Sequence, residues 1–427
     1  MRKFLPFLLA ASFFLSAAQT PASSPDFDRG VDLRTIVREA RETVVPGAAA
    51  GAPAISPAAS GDAVWVSVPD QDAAALEKEF NFSGRAALGQ NGVVSIYELK
   101  VSELDLLADV MQRKFNRSPG FFAHSSLNSA RQDLTAPPAA AAVAYSIDQG
   151  EKVASMLKLV DEDAIASTIG GLASYKTRYY RSATGIAASK RLYDSWKELA
   201  AGRSDIAVTT VLHSAYPQES VVLTVAGAVE PDKVVVLGGH IDSAAGGAEN
   251  PAPGADDNAS GIAVLTEALR VVVASGYRPA QTLKFIAFSA EEAGLRGSGE
   301  IAAGFKKDGV AVRGMLNLDM SNYKGSAEDI YFISDNTNAD QNAFLGRLVE
   351  TYTGYKWAAT KCGYACSDHA SWTKNGFAAS YPFEAKASEY NPAIHTANDT
   401  PAQTGGRAPH AFKFAKLAVA YLVEMAK

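Results

Sequence analysis

From about Ser146 to the C-terminus the chain alternates helix-length stretches with short apolar runs, and this alternation limits the fold more than any other feature. The runs read as strands at Val208–Leu212, Val221–Val225, Val234–Leu237, Thr282–Ser289, Gly314–Met320, Ile330–Ile333 and Ala378–Pro382. Leading helices are expected over Val160–Leu172 and Ile186–Leu199. Between strands, Ala259–Val273 places Ile262, Leu265, Leu269 and Val272 on one helical face, and Ala411–Met425 is amphipathic in the same way. Strands that alternate with helices predict an α/β fold, a mostly parallel mixed sheet flanked by helices.

At 427 residues the chain exceeds one typical domain. Its start suits export. Met1-Arg2-Lys3 is basic, Phe4 to Leu15 apolar, and Ser16-Ala17-Ala18 a small-residue cleavage site, which together read as a signal peptide over residues 1–18. The apolar run is too short for a permanent membrane anchor. The expected product is secreted, either extracellular or periplasmic. Residues 19–60 are rich in Ala, Pro, Ser and Gly, with a helix candidate near Leu33–Val44. Val64, Trp65, Val66 and Val68, then Val93–Leu99, read as strands of a small α/β unit. Its helix is expected from a Ser102 cap, with Asp105 in a capping-box position, to Lys114. Ser125–Ala144, with Ala136-Pro137-Pro138, reads as an exposed linker. The chain thus divides into residues 1–18, 19–140 and 141–427. A net charge of −6 leaves no basic face for nucleic acid. The two cysteines, Cys362 and Cys366, read most simply as a local disulfide in an exported protein. Two thiolates alone do not complete a zinc shell.

Ligands of an open α/β sheet bind beyond the carboxyl ends of its strands, and the strand ends here carry metal-binding side chains. Val234–Leu237 runs through two glycines into His240-Ile241-Asp242, where Asp242 is placed to orient the imidazole of His240. An isolated His-x-Asp favours a structural histidine, so the neighbouring pieces decide. Asp256-Asp257 precedes a helix; such a pair could simply cap it, but a carboxylate has two oxygens and can bridge two cations. Asn258-Ala259-Ser260 matches a glycosylation sequon but lies in a segment expected to be buried. Thr282–Ser289 ends in Glu291-Glu292, whose side chains diverge, so that one can bind metal while the other faces a water. Exposed loop charges are the alternative, less suited to a pair that closely follows Phe285-Ile286-Ala287-Phe288. Asp319 sits in an apolar run, where a lone carboxylate is costly. His395 comes from a late loop.

These motifs resemble the bacterial secreted leucyl aminopeptidases, within the co-catalytic two-zinc exopeptidases. They are His240-x-Asp242-Ser243, Pro253-Gly-Ala-Asp-Asp257, Glu291-Glu292-x-Gly-Leu-Arg-Gly-Ser298, Leu318-Asp319-Met320, Cys362-Gly-Tyr364-Ala-Cys366-Ser-Asp-His-Ala-Ser-Trp372 and Asn391-Pro-x-Ile-His395. The resemblance covers about residues 155–427. It implies the zinc exopeptidase fold and two zinc ions per chain. Asp257 would bridge them, with His240 and Asp319 on one and Glu292 and His395 on the other. It further implies Glu291 as general base, Asp242 in support of His240, a Cys362–Cys366 disulfide, and Tyr364 beside the substrate. Met320, Ile333, Phe383, Tyr390 and Ile394 match the apolar pocket, whereas Ala387 stands where a relative carries an aromatic ring. The implied substrates are peptides with a free N-terminus and a large apolar, leucine-like first residue, cleaved by a monomer. The unit before the linker resembles the propeptides of these enzymes, which implies a zymogen whose propeptide aids folding or blocks the site until it is cut near Ala139–Ser146. His124, His213, His369 and His410 read as structural.

The rivals are a carboxypeptidase of the same superfamily, a one-zinc glutaminyl cyclase and a non-catalytic ectodomain. The Glu292–Asp319 and Asp319–His395 intervals are too short for the lid domain common in the carboxypeptidases, and the complete ligand set with Glu291 argues against the ectodomain.

Overall fold

The computed structural model describes residues 63–80 and 87–427. The signal-peptide and Leu33–Val44 readings lie outside them. The small N-terminal unit comprises β1 (Ala63–Pro69), α1 (Asp70–Glu79), β2 (Gly89–Gln90), β3 (Val94–Lys100), α2 (Leu104–Phe115), β4 (Phe122–His124) and α3 (Leu127–Arg131). Its strands form an antiparallel sheet in the order β2-β3-β1-β4. Alternation along β1 buries Val64, Val66 and Val68 against Leu104, Leu107 and Met111 of α2.

Three helices lead the larger part, α4 (Gly150–Leu157), α5 (Glu162–Ala173) and α6 (Ala183–Leu199), followed by β5 (Ile206–Val211), β6 (Ser220–Val225) and β7 (Glu230–His240). Then come α7 (Gly261–Ala274), β8 (Gln281–Phe288), α8 (Arg296–Lys307), β9 (Ala311–Asn317) and β10 (Ile330–Ile333). The chain closes with α9 (Ala339–Tyr352), β11 (Trp357–Thr360), α10 (His369–Lys374), β12 (Ala379–Ser380), β13 (Pro382–Phe383) and α11 (Ala411–Met425). The six-stranded sheet runs β12-β9-β7-β8-β6-β5, parallel from β12 to β8 and antiparallel at β6 and β5. A second sheet, β11-β10-β13, stands beside it.

Period-two alternation assigns each strand residue to a face. Val235 and Leu237 of β7 and Leu283, Phe285 and Ala287 of β8 pack with α5, α7 and α11. Val234, Val236, Ile286 and Phe288 meet Ile301 and Ala302 of α8 and Trp372 of α10 on the other side. With both faces covered, the central strands have no polar face. The expected α/β fold is the one observed.

Three local expectations are corrected. A short 3₁₀ turn, Val101–Glu103, comes before α2, and the Glu103 carboxylate accepts the Lys100 N–H at 2.7 Å, so Ser102 is not the cap. β9 stops at Asn317, with Leu318 N–H making one more bond to Gly238 O before the backbone turns left-handed at Met320; Asp319 therefore lies beyond the strand rather than inside it. The Ser125–Ala144 linker is partly ordered. Ser126 Oγ accepts the Ser129 N–H and starts α3, and only from Thr135 to Gln149 is regular structure absent.

Phe285 is fully buried in the central strand. Phe285→Ala is expected to lower the unfolding free energy by about 3–5 kcal/mol, to be read from urea denaturation.

Candidate metal centre and active site

The ends of adjacent parallel strands place most of the charged cleft. His240 closes β7, Glu291 and Glu292 follow β8, and Asp319 follows β9. Register fixes their proximity, since His240 pairs with Phe288 and Gly238 with Asn317. Gly239 is needed there, because a Cβ would sit 2.3 Å from Leu318 O. Asp257 comes from an irregular segment, Ala255–Ser260, that precedes α7. It carries non-helical backbone angles at Asp257 and Asn258, so the carboxylate pair does not cap the helix.

Four side chains meet around Asp257. His240 Nε2 is 3.1 Å from Asp257 Oδ1 and 3.2 Å from Asp319 Oδ1. His395 Nε2 is 2.9 Å from Asp257 Oδ2 and 3.1 Å from Glu292 Oε2. His240, Asp257 and Asp319 thus make one group able to hold a cation, and Asp257, Glu292 and His395 another. The donor set fits. Both groups are oxygen and imidazole nitrogen, and Glu292 Oε1 and His395 Nδ1 are buried without hydrogen-bond partners.

The surrounding shell explains why the ligands stay put. Asp399 accepts the N–H groups of Asp256 and Asp257, each at 3.0 Å. Asn258 Nδ2 donates to Leu318 O at 3.0 Å while its Oδ1 accepts the Gly261 N–H at 2.9 Å, so one side chain spans two ligand-bearing loops. That buried amide is unavailable for glycosylation. Ser367 Oγ donates to Asp319 Oδ2 at 2.7 Å. Asp242 is placed differently from the simplest expectation. His240 Nδ1 is nearer to Asp242 O, at 3.1 Å, than to its carboxylate, at 3.5 Å. The carboxylate accepts the N–H groups of Glu291 and Glu292 at 3.1 and 3.2 Å and so aims both glutamates. Asp256 stands outside the ligand groups, accepting from Asn322 N and Asn391 Nδ2 at 2.9 and 3.0 Å. His395 and Met320 both carry left-handed backbone, with φ of 55° and 48°, a cost that non-glycine residues bear where function holds them.

Electrostatics follow from crowding charge into a dry place. Burial pushes the Glu291 and Glu292 carboxyls up. Burial acts to raise Asp257 too, but His240 and His395 overcome it and hold that carboxyl well below the usual range. Burial works against charge on both imidazoles, yet Asp319 drives His240 up and Glu292 drives His395 up. A buried site where carboxylates force imidazoles toward the cationic form is one short of positive charge.

The cleft beside these groups has a volume of about 300 Å³. Met320, Ile333, Tyr364, Phe383, Tyr390 and Ile394 all line it, as do Glu291 and Ala387. Cys362 and Cys366 form a disulfide on its rim. Tyr381, absent from the expected pocket, lines it as well; it lies between β12 and β13 and packs with Met320, Ile333, Phe383 and Ile394. The small unit also reaches in. Ser118 Oγ donates to Glu292 Oε2 at 2.9 Å, Ser118 N–H donates to Tyr364 Oη at 3.2 Å, and Arg117 lies over the Tyr364 ring. Gly294 permits this approach, since a Cβ there would meet Phe121 and Ala123. The other histidines lie outside the cleft lining. His213 faces Glu300, burial pushes His369 down to about 3, and His410 is likewise pushed down to about 4.

With fold and centre described, the kinship can be stated. The chain matches peptidase family M28 over residues 220–420. A probable leucine aminopeptidase of Trichophyton verrucosum is 35% identical over 299 residues, 67% of this chain and 79% of that protein. Leucine aminopeptidase 1 of Arthroderma otae is 35% identical over 313 residues, 69% of this chain and 82% of its own. Among solved structures, the LapA aminopeptidase of Legionella pneumophila superposes with a TM-score of 0.76 at 27% identity, covering 87% of this chain and all but 1% of its own, since 99% is matched. A glutaminyl cyclase of Porphyromonas gingivalis has a TM-score of 0.52 at 16% identity over 62% of this chain and 98% of its own, a likeness of fold alone. The chain belongs to peptidase family M28.

Arg178 was invisible in the sequence. It is fully buried, and its guanidinium donates to Ile241 O at 2.8 Å, Gly254 O at 2.9 Å and Pro253 O, tying the two loops between His240 and Asp257. Burial pushes it down to about 10, still cationic at neutral pH. Arg178→Met leaves these carbonyls without a donor and should destabilise the fold by about 1–3 kcal/mol or more, measured by chemical denaturation.

Proposed function

We propose that this chain is a secreted, monomeric metallo-aminopeptidase that holds two zinc ions and removes large apolar, leucine-like residues from peptides with a free N-terminus. The observation that carries the reading is the Asp257 carboxylate, which presents Oδ1 to the His240 side and Oδ2 to the His395 side. Leucine aminopeptidases among the sequence relatives and an aminopeptidase among the solved structures support the reaction.

Zinc held by His240, Asp257 and Asp319 and by Asp257, Glu292 and His395 would polarise the scissile carbonyl and lower the pKa of a water to roughly 7. Glu291 borders the cleft, belongs to neither ligand group and has its backbone fixed by Asp242, so it is free to take the water's proton. The same carboxyl then gives that proton to the departing amine. Asp242 aims it, and Ser367 fixes Asp319. A free α-amino group has a pKa of about 8, so its neutral form is accessible as a ligand at the centre. Met320, Ile333, Tyr364, Tyr381, Phe383, Tyr390 and Ile394 receive the apolar side chain. Ala387 leaves one wall low. Among the described residues the Glu292–Asp319 and Asp319–His395 intervals form only elements of the fold, with no added lid domain.

The same reading makes residues 19–140 a propeptide that keeps the enzyme latent. Ser118 engages the Glu292 carboxylate and the Tyr364 hydroxyl where a substrate's amino end would be received. Cutting the exposed stretch near Ala139–Ser146 would end the restraint.

Glu291→Ala should keep both zinc ions by metal analysis while turnover of a leucine anilide falls by about 10²–10⁴-fold; metal loss in parallel overturns the base assignment. One zinc per chain would favour the cyclase reading. The trimmed protein should cleave free but not N-acetylated peptides, and full-length protein should cleave small substrates far more slowly. Equal rates for the full-length and trimmed forms would refute latency.

A further inference from the structure

A second buried polar cluster lies outside the cleft, where the small unit meets the catalytic part. Asp133 Oδ2 accepts the Ser67 hydroxyl at 2.6 Å and faces His124 Nε2 at 2.9 Å. The same Nε2 is 3.0 Å from Ser67 Oγ, and Nδ1 is 3.2 Å from Ser129 Oγ. The other Asp133 oxygen forms an ion pair with Lys374 Nζ of α10, whose ammonium stands 4.5 Å from the centre of the Phe122 ring. Ser67, His124, Ser129 and Asp133 belong to the small unit and Lys374 to the catalytic part. The side chains of His124 and Asp133 are only 5% and 6% exposed. Ser, His and Asp together suggest a nucleophile, but Ser67 and Asp133 share one imidazole nitrogen and Ser67 is buried, so no substrate reaches it.

The cluster balances with a neutral imidazole. Nε2–H donates to Asp133, Nδ1 accepts from Ser129, and one negative charge meets one positive. A proton on Nδ1 would add a positive charge beside Lys374, away from water, with Lys306 adding to the positive field at Lys374. Burial pushes His124 down, the Asp133 carboxylate works against that shift, and Lys374 adds to it. Burial raises Asp133, but His124 and Lys374 overcome it and hold the carboxyl low. Docking is what brings the Lys374 charge, and that charge lowers both His124 and Asp133, so the docked state binds fewer protons than the released state. Docking is therefore intact above about pH 6.5, the ordinary value for histidine, and weakens as the pH falls below it.

We propose that Asp133, His124, Ser67 and Lys374 form an acid-releasable latch, which keeps the small unit seated after the Thr135–Gln149 stretch is cut and frees it in mild acid. The role of this latch in activation rests on the latency reading above, though the seating itself does not.

The test uses full-length protein with a specific protease site in place of Ala139–Ala144, cut and then run on size exclusion. The two pieces should travel together at about pH 7.5 and separate at about pH 5. Lys374→Met should weaken association at neutral pH by about thirtyfold or more. It should also abolish or reverse the acid response, because His124⁺ would then be balanced by Asp133. Asp133→Asn, which leaves the catalytic part untouched, should weaken neutral association too. Separation of the unaltered pieces at neutral pH, or an unchanged acid response in Lys374→Met, overturns the latch. Peptidase assays on the joined fraction keep the two readings apart: full activity there sinks latency and leaves the latch standing.

Discussion

The structure is organised around a concentration of negative charge that water cannot relieve. Asp257, Glu292 and Asp319, with Glu291 beside them, are all nearly excluded from solvent. Like charges at such separations need cations between them or a proton on one of the carboxyls. Two imidazoles supply part of the balance, and the carboxylates drive both toward protonation. Two groups of side chains are placed to hold cations that would supply the remainder. This demand explains the supporting shell: Asp399, Asn258, Arg178 and Ser367 each spend their hydrogen bonds holding a ligand or its loop. A carboxylate free to swing away would relax the repulsion and open the cluster.

The sheet makes that concentration possible. Parallel strands β9, β7 and β8 end together, so the residues that follow them converge without long loops. Gly239 at the β7 end lets Leu318 O approach closely, and the approach brings Asp319 level with His240. The ligand spacing is thus a property of strand register. Asp257 and His395 come from irregular segments instead, and there side-chain clamps and left-handed backbone replace register.

That division also separates what could be read in the sequence from what could not. The side chains that meet in the cleft were legible because each follows an apolar run or sits in a local motif: His240 after Val234–Leu237, Glu291-Glu292 after Thr282–Ser289. The alternation that announced the fold was equally local. The clamps were not. Arg178, Ser367 and Asp399 act on partners far along the chain, and nothing adjacent to them marks the partner. Tyr381 escaped for a related reason, since it sits where β12 of one sheet gives way to β13 of another. The strand end at Asn317 was misread because Leu318 and Met320 continue the apolar pattern after the backbone has turned away. Apolar pattern reports burial, and buried loops share it with strands.

The position of the small unit turns on a difference between tethered and free binding. While Thr135–Gln149 is intact, its Ser118 turn faces the cleft at the high local concentration a short tether provides, so weak contacts suffice. Cutting the tether removes that advantage but breaks no contact in the interface. Whether the unit then leaves depends on the interface alone. Ser118 contributes two hydrogen bonds at the mouth of the cleft, and such bonds exchange readily with water. The Asp133–Lys374 pair is largely shielded, so water screens its attraction little, although part of that attraction is returned as hydration when the unit leaves. The contacts at the cleft and the ion pair at the seam lie on different segments of the unit, so the proposed covering of the site and the proposed release of the unit can be altered one at a time.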